Sequence, residues 1–189
     1  EIVLNREEAI KHYLLQKDMN MSACDKLFKS YLFIDIRFPG DYLISEDIVP
    51  IYSVIKKSKR VILTGQAFYN YYYRAGSLSK SCFNKKKMGS LRYSKEVAEK
   101  VRIEFPSLTC EADYFEIDSM IGVYRTLRSS RYKGEERKSV LGDIKRNFFK
   151  VFRNRYLYIR QKIYVLLAVL RIDVLPNKIY GVYKKIEMK

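Results

Sequence analysis

Phe38-Pro39-Gly40-Asp41-Tyr42-Leu43-Ile44-Ser45-Glu46-Asp47-Ile48-Val49-Pro50 reads as a loop that brings two adjacent carboxylates, Glu46 and Asp47, to the start of a helix. Beyond Asp47 the apolar residues Ile48, Ile51, Tyr52 and Ile55 fall on one helical face. Pro50 has no backbone N–H, so it suits the first turn, where that donor lacks a partner anyway. The N-cap is expected at Ser45 or, better, at Asp47, where the helix dipole favours a carboxylate. Two roles suit the pair. In one, Asp47 caps the helix and Glu46 is solvated. In the other, Asp47 is a general base facing a substrate hydroxyl.

Upstream, Asn5-Arg6-Glu7-Glu8 predicts a helix start, with Asn5 as cap and Glu8 reaching back to it. Ala9, Ile10, Tyr13 and Leu14 would be its buried side, and Lys17-Asp18-Met19-Asn20 would end it. Lys26 then lies among apolar neighbours, either with its tip in solvent or offering its ammonium to a phosphate. Downstream, Arg60-Val61-Ile62-Leu63-Thr64 and the run from Ala67 to Tyr73 read as two strands joined by a tight turn at Gly65-Gln66. The second run ends in Arg74-Ala75-Gly76-Ser77, an arginine beside a flexible turn that could cradle an anion with backbone N–H groups.

From Asn84 onward the pattern is helical. Ser94, Val97, Ala98, Val101 and Phe105 share a face that Pro106 ends. Tyr114, Ile117, Ile121, Tyr124 and Leu127 mark the next helix. Leu141, Ile144, Phe148, Val151 and Phe152 mark a third, entered after Gly134. Ile159, Ile163, Leu166 and Leu170 mark a fourth, and Ile179, Val182, Tyr183 and Ile186 a short last one after Pro176. The strand-like pattern gives way to the helical one between Ser79 and Lys87, so the expected division is 1–81 and 82–189.

Composition narrows the chemistry. The 189 residues are nearly half apolar, enough for a core of one domain or two small ones. The chain opens at Glu1 with Ile2-Val3-Leu4 already reading as an element, which suggests a segment of a longer protein without a secretory leader in this piece. Cys24, Cys82 and Cys110 form no C-x-x-C and read as reduced thiols of a cytosolic protein. His12 is the only histidine, which argues against a histidine–cysteine zinc site and a histidine-based nucleophile engine. No metal-ligand set is assigned. The longest apolar run, from Ile163 to Leu170, is far short of the ~20 residues that span a bilayer.

The net charge is +16 and uneven. From Arg125 onward there are eighteen Lys or Arg against five Asp or Glu, which predicts an anionic partner there. Lys145, Arg146, Lys150, Arg153, Arg155, Arg160 and Lys162 lie beside apolar stripes. That is either the solvated face of a bundle or, over 141–189, an attachment to an anionic membrane surface worth ~1 kcal/mol per basic residue. No zinc-finger, RNA-recognition or KH signature favours nucleic acid. The tyrosines of 69–73 suit stacking on bases or sugar rings, although alternate members of a strand face opposite sides.

In order, Lys26-Leu27-Phe28, Ile36-Arg37-Phe38-Pro39, Glu46-Asp47, Tyr71-Tyr72-Tyr73-Arg74 and Gly76-Ser77 form a pattern more specific than any one piece. It resembles the second half of bacterial family-2 glycosyltransferases with the GT-A fold, the sort that build capsular and exopolysaccharides. In these a "KLY" segment, an "RFP…ED" loop and a "YYYR…GS" stretch follow in this sequence at similar spacing. The resemblance covers about Ser22 to Ser81. It implies that Asp47 is the base that deprotonates an acceptor sugar hydroxyl in an inverting transfer, with Glu46 beside it at the acceptor edge. It implies that Arg74, Gly76, Ser77 and Lys26 lie near the leaving diphosphate of a nucleotide-sugar donor of the UDP-sugar type. In the full-length enzyme Mg²⁺ or Mn²⁺ on an Asp-x-Asp motif would hold that diphosphate. This chain carries no Asp-x-Asp and no run of alternating strands and helices before Glu46, and Asp35-Ile36-Arg37 does not supply the motif.

The expectation is therefore an α+β, mainly α chain: the acceptor-side half of a GT-A domain with a short β-hairpin, then a basic extension of about five helices. Alone it should be inactive. Its expected partners are the missing N-terminal nucleotide-binding half, a sugar or lipid-linked glycan acceptor, and the inner face of the cell membrane in the cytoplasm. Surface left open near the first helix and Phe33 would be covered by the missing half or by a second copy, as a homodimer. The rival expectation is a non-enzymatic basic helical module that binds anionic membrane or nucleic acid.

Overall fold

The structure, a computed structural model, describes residues 1–41, 44–72 and 82–172. In chain order the elements are β1 (Ile2–Asn5), α1 (Arg6–Leu15), α2 (Ile48–Lys57), β2 (Arg60–Leu63), α3 (Met88–Glu104), α4 (Thr109–Ser129), α5 (Glu135–Arg146), α6 (Phe148–Arg153) and α7 (Ile159–Val169). The chain is thus mainly helical, with one two-stranded antiparallel sheet among the described residues.

Local chemistry accounts for the helix ends. Asn5 and Glu8 form the expected capping box: the Glu8 N–H donates to Asn5 Oδ1 at 3.0 Å and the Asn5 N–H donates to Glu8 Oε2 at 2.9 Å. Ala9, Ile10, Tyr13 and Leu14 are the buried face of α1, and Gln16 closes it in the left-handed region, with φ 50°. α3 stops one residue short of Phe105, because Pro106 disfavours helical backbone in the residue before it. α5 begins after Gly134, with Glu135 and Glu136 in its first turn, where the dipole favours acids.

The strand expectation needs correction. β2 does not form a hairpin with the tyrosine run. It pairs with β1, in the register Ile2↔Leu63, Val3↔Ile62, Leu4↔Val61 and Asn5↔Arg60. Leu4 is buried and Val61 and Leu63 are packed against the core on one side of this sheet, so pairing with β1 covers apolar surface. The described part of the run, 67–72, is not a strand, and Phe68, Tyr69, Tyr71 and Tyr72 are all exposed. Residue type suggested a strand there, but no alternate face finds cover. At the expected turn, the Gln66 N–H donates to Thr64 Oγ1 at 3.2 Å.

Two further expectations change. The third predicted helix is two, α5 and α6, divided at Asn147, whose side chain donates to the Asp143 carbonyl at 3.0 Å. The break lets Ile144 and Val151 both reach the core. Of the two readings of the α7 stripe, packed in a bundle or set on a surface, the bundle one does not hold: Val165 and Ala168 are buried, whereas Ile159, Ile163, Leu166 and Leu170 are exposed. The expected last helix, 179–186, lies outside the described residues.

Two apolar clusters dominate the interior. The first joins α1, α2 and the sheet to Tyr93, Val97, Ala98 and Val101 of α3 and to Ala112 and Phe115 of α4. The second joins the rest of α4 to α5, α6 and α7. α3 and α4 belong to both, and Arg102 clamps them, donating to Asp113 Oδ1 at 3.0 and 2.5 Å and to Glu116 Oε2 at 2.5 Å. A small third cluster of Leu32, Ile36 and Val54 packs the segment after Lys29 on the back of α2. Among the described residues no helix is long and apolar enough to cross a membrane.

Candidate active site

The loop ahead of α2 is pinned to α3. Arg92 donates to Asp41 Oδ2 at 2.8 Å, and the Tyr93 hydroxyl donates to Asp41 Oδ1. The Ile44 N–H donates to the Lys86 carbonyl at 2.9 Å, and Ser45 Oγ meets Ser90 Oγ at 2.6 Å. Burial and the Asp41 carboxylate push the Tyr93 phenol up to about 12, so it stays a donor. Ser45 turns the chain with φ 73°, and Tyr13, from inside the first cluster, donates to the Ile48 carbonyl at 2.7 Å. The start of α2 is therefore held from α1 and α3 together.

Asp47 sits at the N-cap position, as expected, but its carboxylate does not cap α2. The reason is local. An N-cap side chain bonds the second or third helical N–H, and the third helical residue is Pro50, which has none. The carboxylate turns instead to the loop after α1. Oδ2 accepts from Ser22 Oγ–H at 3.1 Å and from the Ala23 N–H at 3.0 Å. Among the described residues nothing hydrogen-bonds Oδ1. Asp47 is half-buried and Glu46 is exposed. The site thus holds one carboxylate oxygen fixed and leaves the other to an incoming donor.

The latching loop is itself tightly tied. The Ser22 N–H donates to Asn20 Oδ1 at 2.8 Å, an Asx-type turn, and Asn20 Nδ2 donates to Asp25 at 2.7 Å. Lys26 donates to Asp25 at 2.7 Å, to Asn20 at 3.0 Å and to the Cys24 carbonyl at 3.4 Å. All three of its protons are engaged within the loop, which it clamps. The tyrosine-rich segment reaches the same place. Ser22 first, and then Tyr69, lower the Cys24 thiol's pKa. Ser22 thus links Asp47 to Cys24, whose N–H donates to Ser22 Oγ at 3.2 Å. Arg74, Gly76 and Ser77 lie outside the described residues.

Ser22, Ala23, Asn20 and Ser90 were not singled out from sequence. Only the Asn20-to-Ser22 turn carries a local signal, whereas the bonds to Asp47 and Ser45 join positions far apart in the chain. His12 is held at the end of α1, with Nδ1 3.1 Å from the Lys17 carbonyl oxygen. No group of three or more His, Cys, Asp or Glu side chains that could hold a metal exists among the described residues.

A cavity of about 230 Å³ lies in the other half of the molecule, between α4 and the start of α7, lined by Tyr114, Asp118, Arg125, Arg160, Gln161 and Tyr164. Gln161 accepts from the Tyr158 N–H at 2.9 Å and donates to Asp118 at 2.6 Å. Burial raises the Asp118 pKa against the opposing pull of Arg125 and Gln161.

Comparison of the chain with protein-family models, with curated proteins and with solved structures finds no match.

Proposed function

We propose that the chain is the acceptor-side half of a family-2 glycosyltransferase of the GT-A type, transferring a sugar from a nucleotide-sugar donor to a glycan or lipid-linked acceptor in surface polysaccharide synthesis. The observation that carries this reading is the state of Asp47: one oxygen latched by Ser22 and Ala23, the other available, at a helix start. A general base needs this combination of fixed position and an open lone pair. The order of motifs from Lys26 to Ser77 supplies the rest of the support.

In this reading Asp47 takes the proton from the acceptor hydroxyl. The freed oxygen attacks the anomeric carbon from the face opposite the leaving group, the new C–O bond forms, and the bond to the nucleoside diphosphate breaks. Glu46, exposed beside Asp47, borders the acceptor. The 20–26 loop, closed by Lys26, keeps the base from swinging away. The tyrosines at 69, 71 and 72 offer apolar faces to a sugar ring. The exposed residues Val3 and Ile62 on the outer face of the sheet, and the exposed Leu27, Tyr31 and Ile34, suit surface covered by a nucleotide-binding half. The divalent ion of such enzymes belongs with that half. The described residues offer it no cluster.

The test is the stereochemistry of the product made by the gene product that contains this chain. Release of nucleoside diphosphate should depend on acceptor, and NMR of the glycoside should show the anomeric configuration opposite to that of the donor. Retained configuration would overturn the direct-displacement role given to Asp47.

A further inference from the structure

The outward face of α7 is apolar where a solvated helix would be polar. Ile159 is 72 % exposed, Ile163 49 % and Leu170 55 %, with Leu166 between them and Ile172 following. At 100° per residue Ile159, Ile163, Leu166 and Leu170 fall on one side, opposite Val165 and Ala168, which face the second cluster. α6 packs on α7 and adds Phe149, 79 % exposed, and Phe152, whose carbonyl accepts from Lys162 at 3.0 Å.

Charge identifies what suits this face. Residues 144–172 contain eight Lys or Arg and no Asp or Glu. Among the described residues Lys145, Arg153 and Arg171 have no carboxylate within ion-pair range, and all three are exposed. Lys162 and Arg160 flank the stripe on either side, and Arg160 also lines the mouth of the nearby cavity. A second copy of the chain would bring the same positive charge against this face. The chain's own 173–189 segment has four Lys against two acids, so it offers no compensating charge either. Nucleic acid would match the charge but leave the aliphatic stripe without a role.

We infer that the outward face of α7, with α6, docks on a membrane surface of anionic phospholipid. The helix lies flat, with Ile159, Ile163, Leu166 and Leu170 in the acyl boundary and the flanking Lys and Arg at the phosphates. This docking stands independently of the glycosyl-transfer reading and uses none of its residues.

The full chain is tested by co-sedimentation with vesicles of phosphatidylcholine alone or mixed with phosphatidylglycerol. It should pellet with the anionic vesicles only, less so as salt rises. Ile163→Asp with Leu166→Asp, at half-exposed positions, should lower partitioning roughly tenfold or more per substitution while the chain stays folded, with the native circular dichroism spectrum at the assay temperature. Lys145→Ser, Arg153→Ser and Arg171→Ser should each lower it about fivefold. The inference is overturned by failure to pellet at low salt, or by pelleting that the two aspartates do not weaken. It is also overturned if Ile179→Asp with Val182→Asp removes binding while the α7 pair does not. Vesicle-free self-association abolished by the α7 pair would equally overturn it, since the face would then be a contact between copies.

Discussion

Replacing Asp47 by alanine deprives Ser22 Oγ–H and the Ala23 N–H of their shared acceptor at 3.1 and 3.0 Å. Hydrogen bonds to a charged acceptor are worth about 1.5–3 kcal/mol, and in this half-buried site solvent reduces each to roughly 1 kcal/mol. Asp47→Ala should therefore cost about 2 kcal/mol, a fall in Tm of roughly 4–8 °C for a chain of this size. Asp47→Asn can place its amide oxygen where Oδ2 lies, keep both bonds and cost less than about 1 kcal/mol. Ser22→Ala removes the bond to Asp47 and the acceptor of the Cys24 N–H at 3.2 Å and should cost about 1–2 kcal/mol, and the Ser22→Ala/Asp47→Ala cycle should show a coupling of about 1 kcal/mol. The assay is thermal unfolding followed by circular dichroism. A cost for Asp47→Ala within about 0.5 kcal/mol of zero, as for an ordinary surface change, would refute the latch, and so would a vanishing coupling.

Three other outcomes probe the frame. Burial raises the Asp118 pKa above 3.8, so the folded state holds its proton more tightly than the unfolded one. Its destabilising effect is therefore full above the folded pKa and relieved as pH falls toward 3.8. Asp118→Asn, which keeps an acceptor for Gln161, should raise Tm at pH 7, with a gain that fades in acid, as unfolding across pH will read. Arg102→Met leaves Glu116, 8 % exposed, and Asp113 without their clamp and should cost about 2–3 kcal/mol in denaturant unfolding. Gly134→Ala places a Cβ 2.5 Å from the Tyr132 ring, which packs on Phe83 and donates to Glu136 at 2.8 Å. That ring must move, at about 1–3 kcal/mol in the same assay.

What could be read from sequence were features whose causes are local. The Asn5–Glu8 capping box, the buried face of α1, the end of α3 before Pro106 and the α4 stripe are each decided within a turn or two of chain. The hairpin was misread because the tyrosine run has strand-type residues without a face to bury, while the partner of β2 is β1, far away in the chain. α7 was misread because it is apolar on more than one side: periodicity selects the bulkiest stripe, but packing placed the smaller Val165 and Ala168 inward. At the site, the position of Asp47 followed from Pro50 and the apolar spacing after it. That its carboxylate would leave its own helix for Ser22 and Ala23 depends on a loop 24 or 25 residues away. No periodicity signals such a contact.

The central claim is that Asp47 combines a latched oxygen with one that accepts a proton. It is tested most directly by the single-turnover transfer rate of Asp47→Asn in the gene product that carries this chain, with nucleotide-sugar and acceptor saturating. The amide keeps the latch but cannot take the proton, so the rate should fall about 10²–10⁴-fold while Tm stays within a few degrees. A rate within a few-fold of the native one, with the fold equally intact, would contradict the account.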